Sequence, residues 1–195
     1  MHSSTGPSPA LRAYRLSSLV AVLAGLVLIP SDTALAVCVS PLKDGSFEAQ
    51  RSRYVSTPWI AEGRAGIDVR RGLSYSGANN AWARNNSGWN GIRQKVWLYK
   101  NTVYTLKGYV RTSANVRDGY FGFRYANQRP VPGEKRFGSS GGRYRELRVS
   151  FRPTSTGRYY VFTGFWAPGQ DAWIQVDNLR VEAACNDVVL NPVPS

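Results

Sequence analysis

Two segments, Thr102–Arg111 and Tyr144–Arg152, alternate apolar and polar residues, a pattern that suits an extended strand with one buried side. In Thr102–Arg111, Tyr104, Leu106, Gly108 and Val110 share one face, while Thr105, Lys107, Tyr109 and Arg111 share the other. Tyr144–Arg152 is clearer, with Leu147, Val149 and Phe151 set against Glu146, Arg148, Ser150 and Arg152. Further strands are predicted near 57–61, 66–70, 80–85, 91–98, 119–125, 158–166 and 172–182. Turn signals at Ala114-Asn115, Gly133, Ser139–Gly142, Thr156-Gly157 and Pro168-Gly169 separate several of them. No stretch reads as a long helix. The expectation is one all-β domain of two antiparallel sheets packed face to face.

The ends set the domain limits. Arg12 and Arg15 precede an uncharged, mostly apolar run, Leu16–Pro30, and Ala34-Leu35-Ala36 supplies a small-x-small cleavage pattern. Residues 1–36 are therefore read as a signal peptide and the protein as secreted and extracellular. The apolar run is short of the roughly twenty residues that span a bilayer, so no stable membrane insertion is expected. Residues 37–185 form the domain, expected to be monomeric, and 186–195 a flexible tail with Pro192 and Pro194. The two cysteines, Cys38 and Cys185, read as a disulfide joining the ends of this exported domain.

The one histidine, His2, falls in the signal segment. The exported domain thus lacks the residue for Ser-His-Asp or Cys-His catalysis and for histidine metal sites. A non-enzyme is expected. Without Arg12, Arg15 and Asp32, 23 basic and 11 acidic residues remain. That excess favours polyanions, acidic polysaccharide among them. The arginines are scattered from Arg51 to Arg180, so no specific nucleic-acid reader is expected.

Four segments, in order, resemble the cellulase-associated carbohydrate-binding modules of families four, nine and twenty-two. They are Asp44-Gly45-Ser46-Phe47-Glu48 with Trp59, then Ser87–Val96, then Asn101–Leu106 with Val110-Arg111-Thr112, and finally Trp173–Val181. The resemblance implies a jelly-roll β-sandwich of the galactose-binding-like type that binds polysaccharide along a sheet face or at loop tips. It departs from the family pattern at Asn178, where the closing motif has a second acid. By resemblance, Trp89 and Arg84 would lie at or near the glycan face.

Sugar binding needs flat aromatic platforms, polar side chains for hydroxyls, and arginine where the sugar carries carboxylates. Trp82–Arg93 supplies Trp82, Arg84, Asn86, Trp89, Asn90 and Arg93. The strand sides facing away from the core add Tyr109, Arg111, Tyr120 and Arg124, with Phe121 and Phe123 inward, and Trp166, Trp173 and Gln175 complete the set. Phe47, Trp59, Tyr104, Phe151 and Phe162 are expected only to fill the core. No cofactor is required, but modules of this type often hold a structural Ca2+, and Asp44, Glu48 and Asp177 are its candidate ligands. Two rival functions are a jelly-roll polysaccharide lyase or other glycan-active enzyme, and a structural or adhesive wall protein held by charge. The lyase reading rests on Arg145-Glu146-Leu147-Arg148; such lyases also use a Gln-x-His strand, and after Gln175 that histidine position is Asp177.

Overall fold

A computed structural model of the chain describes residues 40–183. The signal segment, the tail and both cysteines of the expected disulfide lie outside the described residues. Ten strands follow in order: β1 Trp59–Glu62, β2 Ala65–Val69, β3 Asn79–Asn85, β4 Trp89–Leu98 and β5 Tyr104–Thr112 come first. They continue with β6 Asp118–Tyr125, β7 Lys135–Phe137, β8 Arg145–Phe151, β9 Gly157–Trp166 and β10 Ala172–Ala183. They build two five-stranded antiparallel sheets, ordered β1-β4-β9-β6-β7 and β2-β3-β10-β5-β8. The result is a jelly-roll β-sandwich.

Period-two alternation becomes layering. Ile92, Val96, Leu98, Phe121, Phe123, Tyr159, Val161 and Phe165 of the first sheet meet Ile67, Ala81, Ala83, Leu106, Val110, Val149, Ile174 and Val176 of the second. Facing apolar rows from two sheets must exclude water together, which makes this sandwich the stable packing. Phe47 and Trp59 seal one end, their ring centroids 5.2 Å apart, and Trp59 Nε1 donates to Asp44 O at 2.8 Å.

The long strand β10 breaks register with β5 between Asp177 and Arg180. There Asn178 adopts φ 52° and Leu179 N donates to Gly45 O at 2.8 Å. Asparagine tolerates this left-handed conformation, which lets Leu179 leave the ladder and enter the core. The departure from the family pattern at Asn178 thus falls at a bulge. Ser40 Oγ accepts from Val181 N at 3.3 Å, so the two described ends of the domain lie side by side.

Phe162 departs from expectation. It is fully buried, yet alternation along β9 turns it away from the inter-sheet core, onto the outer side of the first sheet. What covers it there is the guanidinium of Arg124, 3.6 Å from the ring centroid.

Candidate functional site

The eight residues expected to bind carbohydrate divide into two groups of four on opposite outer faces. Trp89, Tyr120, Arg124 and Trp166 lie on the β1-β4-β9-β6-β7 sheet, and Arg84, Tyr109, Trp173 and Gln175 on the other. Trp82–Arg93 therefore cannot form one surface, because the chain changes sheets between β3 and β4. Arg84, expected beside Trp89, instead faces outward from the second sheet and holds Asp171 through both Nε and Nη2, the latter at 2.6 Å.

On the first face, Trp89 of β4 stands opposite Trp166 of β9, and one step along Gly91, Gly164 and Tyr120 form the next row. Two adjacent glycines leave a trough in the pleat, and Trp89 lies in it. A Cβ built on Gly164 would come within 2.6 Å of the Trp89 ring, so glycine is what lets the indole approach the sheet. The ring is fixed further by Nε1 donating to Glu62 Oε2 at 2.7 Å and by Arg124 Cζ, 4.7 Å from its centroid. Trp166 and Tyr120 extend the aromatic strip, with centroids 5.9 and 6.1 Å from Trp89. Trp166 is 53% exposed and open to a ligand.

Three arginines around this strip face acids. Arg93 binds Glu62 at 2.6 Å, Arg124 lies 3.8 Å from Glu134, and Arg136 pairs with Asp118. Burial pushes the Glu134 carboxyl above its ordinary range, against the pull of Arg124, and burial lowers Arg124.

The second face holds a cleft of about 920 Å³. Its floor is a row of β-sheet positions, Gly66, Trp82, Gln175 and Arg111. Trp82 lies across Gly66, where a Cβ would come 2.5 Å from the ring. Trp173 and Arg84 occupy the next row of the same face. Tyr109 takes no part in the cleft lining and stacks on Tyr75 with centroids 3.5 Å apart. Sequence reasoning missed Arg53, Tyr54, Arg64 and Arg71 of this lining; Arg53, Tyr54 and Arg71 sit in connecting segments and Arg64 immediately precedes β2, so periodicity gives no signal for any of them.

The expected Ca2+ ligands are engaged otherwise. Asp44 accepts from Ala49 N and Gln50 Nε2, while Glu48 Oε1 accepts from Ala78 N and Asn79 N, both at 2.9 Å. Asp177 accepts from the amides of Tyr75, Ser76 and Asn178. No group of three or more His, Cys, Asp or Glu residues able to hold a metal ion occurs among the described residues.

No family model matches the chain, and no curated protein matches it in sequence. Solved structures do match in fold. A cyclase from Fischerella sp. TAU superposes with TM-score 0.60 at 14% identity, covering 78% of this chain and 100% of its own. A family 61 carbohydrate-binding module in complex with β-1,4-galactotriose gives TM-score 0.56 at 14% identity, covering 73% and 97%. The xylan-binding CBM22-1 domain of Paenibacillus barcinonensis Xyn10C gives 0.50 at 17%, covering 67% and 88%. The chain shares its jelly-roll fold with carbohydrate-binding modules and with cyclases alike.

Proposed function

We propose that this chain is a secreted, non-catalytic carbohydrate-binding domain that takes a polysaccharide on the Trp89 face. The observation that carries the reading is the aromatic cluster Trp89–Trp166–Tyr120, with Trp89 set against Gly164, the other two rings tilted 55–59° to it, and Trp166 open to solvent. Rings held in advance lose little freedom when a pyranose stacks on them, and that favours affinity. Paired arginines and acids at the margin offer hydrogen bonds to hydroxyls without a net charge, which suits a neutral glycan. Two solved relatives in fold are sugar-binding by their descriptions, which adds weight.

Lack of catalysis has its own support. Glu62 and Asp118, acids beside the aromatic strip, are each bonded to an arginine, Glu62 also holds the Trp89 indole, and Glu134 is withdrawn from solvent 3.8 Å from Arg124. Neither Glu62 nor Asp118 stands free to exchange a proton with a bound sugar. In the segment that suggested a lyase, Arg145, Glu146 and Arg148 are exposed on the edge strand β8, and Leu147 packs against the core.

Affinity electrophoresis against soluble neutral polysaccharides tests the reading, with wild type beside Trp166→Ala. Retardation by at least one glycan that weakens in the variant is the expected result. Wild-type mobility unaffected by every glycan would overturn it, as would reducing-end release from the bound polymer.

A further inference from the structure

The cleft on the opposite sheet differs from the Trp89 face in one decisive respect, its charge. Arg53, Arg64, Arg71, Arg84 and Arg111 line it, against Asp68 within the lining. Arg84 is neutralised by Asp171, but Arg53, Arg64, Arg71 and Arg111 form no ion pair among the described residues. A concave site with unmatched guanidiniums focuses a positive potential on whatever enters it.

Its floor is also set in place. Gln175 is buried, donates from Nε2 to Asp68 Oδ2 at 2.7 Å, and accepts from Arg111 Nε. Asn80 Nδ2 donates to the same Asp68 oxygen at 3.3 Å. Arg111 is held from its other side by Tyr144, its Cζ 4.9 Å from the ring centroid. Trp82, flat over Gly66, and Trp173 on the neighbouring strand supply two aromatic surfaces between the arginines. The volume of about 920 Å³ is that of a site able to enclose several linked rings.

Aromatic platforms with interleaved guanidiniums fit two kinds of polyanion, acidic glycans and single-stranded nucleic acid. Asp68 decides between them. Its carboxylate sits in the cleft wall and can accept from the hydroxyls that every sugar ring carries, donors that a phosphodiester backbone lacks. We infer that the cleft is a second binding site, for a carboxylate-bearing glycan such as a run of uronic acids. The domain would then join two polymers, a neutral one on the Trp89 face and an acidic one here. The acidic site does not depend on the Trp89 face being occupied.

The test is calorimetric titration of the full exported chain with short oligogalacturonate, its methyl ester, and a single-stranded oligonucleotide of equal charge. Arg64→Ala/Arg71→Ala removes two exposed side chains with no ion pair, so folding is retained and is checked by melting. The expected result is binding of the free acid that weakens about tenfold or more in the double variant, on esterification, and on raising the salt. Trp166→Ala is expected to leave it unchanged. Equal affinity for the ester or the oligonucleotide overturns the assignment, as does an unaffected double variant. Neutral-glycan binding without any oligogalacturonate binding refutes this site alone and leaves the Trp89 face standing.

Discussion

Replacing Trp166 by alanine separates a binding surface from a structural one. The side chain is 53% exposed, and its ring lies 5.9 Å from that of Trp89. A tryptophan carries roughly 250 Å² of surface, so about 130 Å² faces water; a sugar over one ring face would cover about half of that. At about 25 cal/mol per Å² the lost burial is about 1.5 kcal/mol, roughly tenfold in Kd. Stability should barely move, because exposed substitutions generally fall within about 0.5 kcal/mol and shift Tm by no more than about 2 °C in a domain of this size. Titration with the best neutral glycan and a thermal melt of the same preparation measure both quantities. An unchanged Kd would refute the stacking role. A large fall in Tm would show instead that Trp166 holds the sheet together.

Other outcomes follow from the same geometry. Phe162→Ala should lower stability by about 3–5 kcal/mol in chemical denaturation, since it empties a fully buried site beneath Arg124. Gly164→Ala should weaken neutral-glycan binding and also lower Tm, because a methyl there meets both the Trp89 ring and the Asn90 carbonyl at 2.6 Å; unchanged affinity would remove the trough from the argument. Glu134, its pKa raised by burial, binds its proton more tightly folded than unfolded. Its contribution should fall as pH rises from the ordinary glutamate range through the raised value, and Glu134→Gln should flatten that slope in melts across the range. A chelator should leave Tm unchanged, given that Asp44, Glu48 and Asp177 already face N–H donors; a marked fall would restore the cation.

Much of the fold was legible because alternation is a local signal. The predicted strands near 80–85, 119–125 and 158–166 match β3, β6 and β9 to within one residue. The three-residue strand β7 was not legible, since Lys135–Phe137 is too short to show a period and owes its form to pairing with β6. Phe162 marks the limit of the method. Tyr159–Trp166 is apolar on both sides, so composition cannot say which face meets the core. Only the fixed positions of Val161 and Phe165 in the inter-sheet layer turn Phe162 outward.

The site was less legible than the fold because contiguity in sequence is not contiguity on a sandwich. Trp82 and Trp89 are seven residues apart in one recognisable stretch. Asn86–Gly88 carries the chain from the second sheet to the first, so the two indoles end on opposite outer faces. The same stretch therefore feeds both surfaces, each with a tryptophan laid over a glycine of the neighbouring strand, Gly66 under Trp82 and Gly164 under Trp89. What distinguishes them is the charge that other segments deliver. β1, β4, β6 and the β6–β8 region bring Glu62, Arg93, Asp118, Arg124, Glu134 and Arg136 to the Trp89 face in matched pairs. The segments flanking β1 and β2 bring Arg53, Arg64 and Arg71 to the Trp82 face with no ion pair among the described residues. The net positive charge visible in the sequence is thus unevenly spent, and salt should weaken binding at one face while leaving the other nearly unaffected.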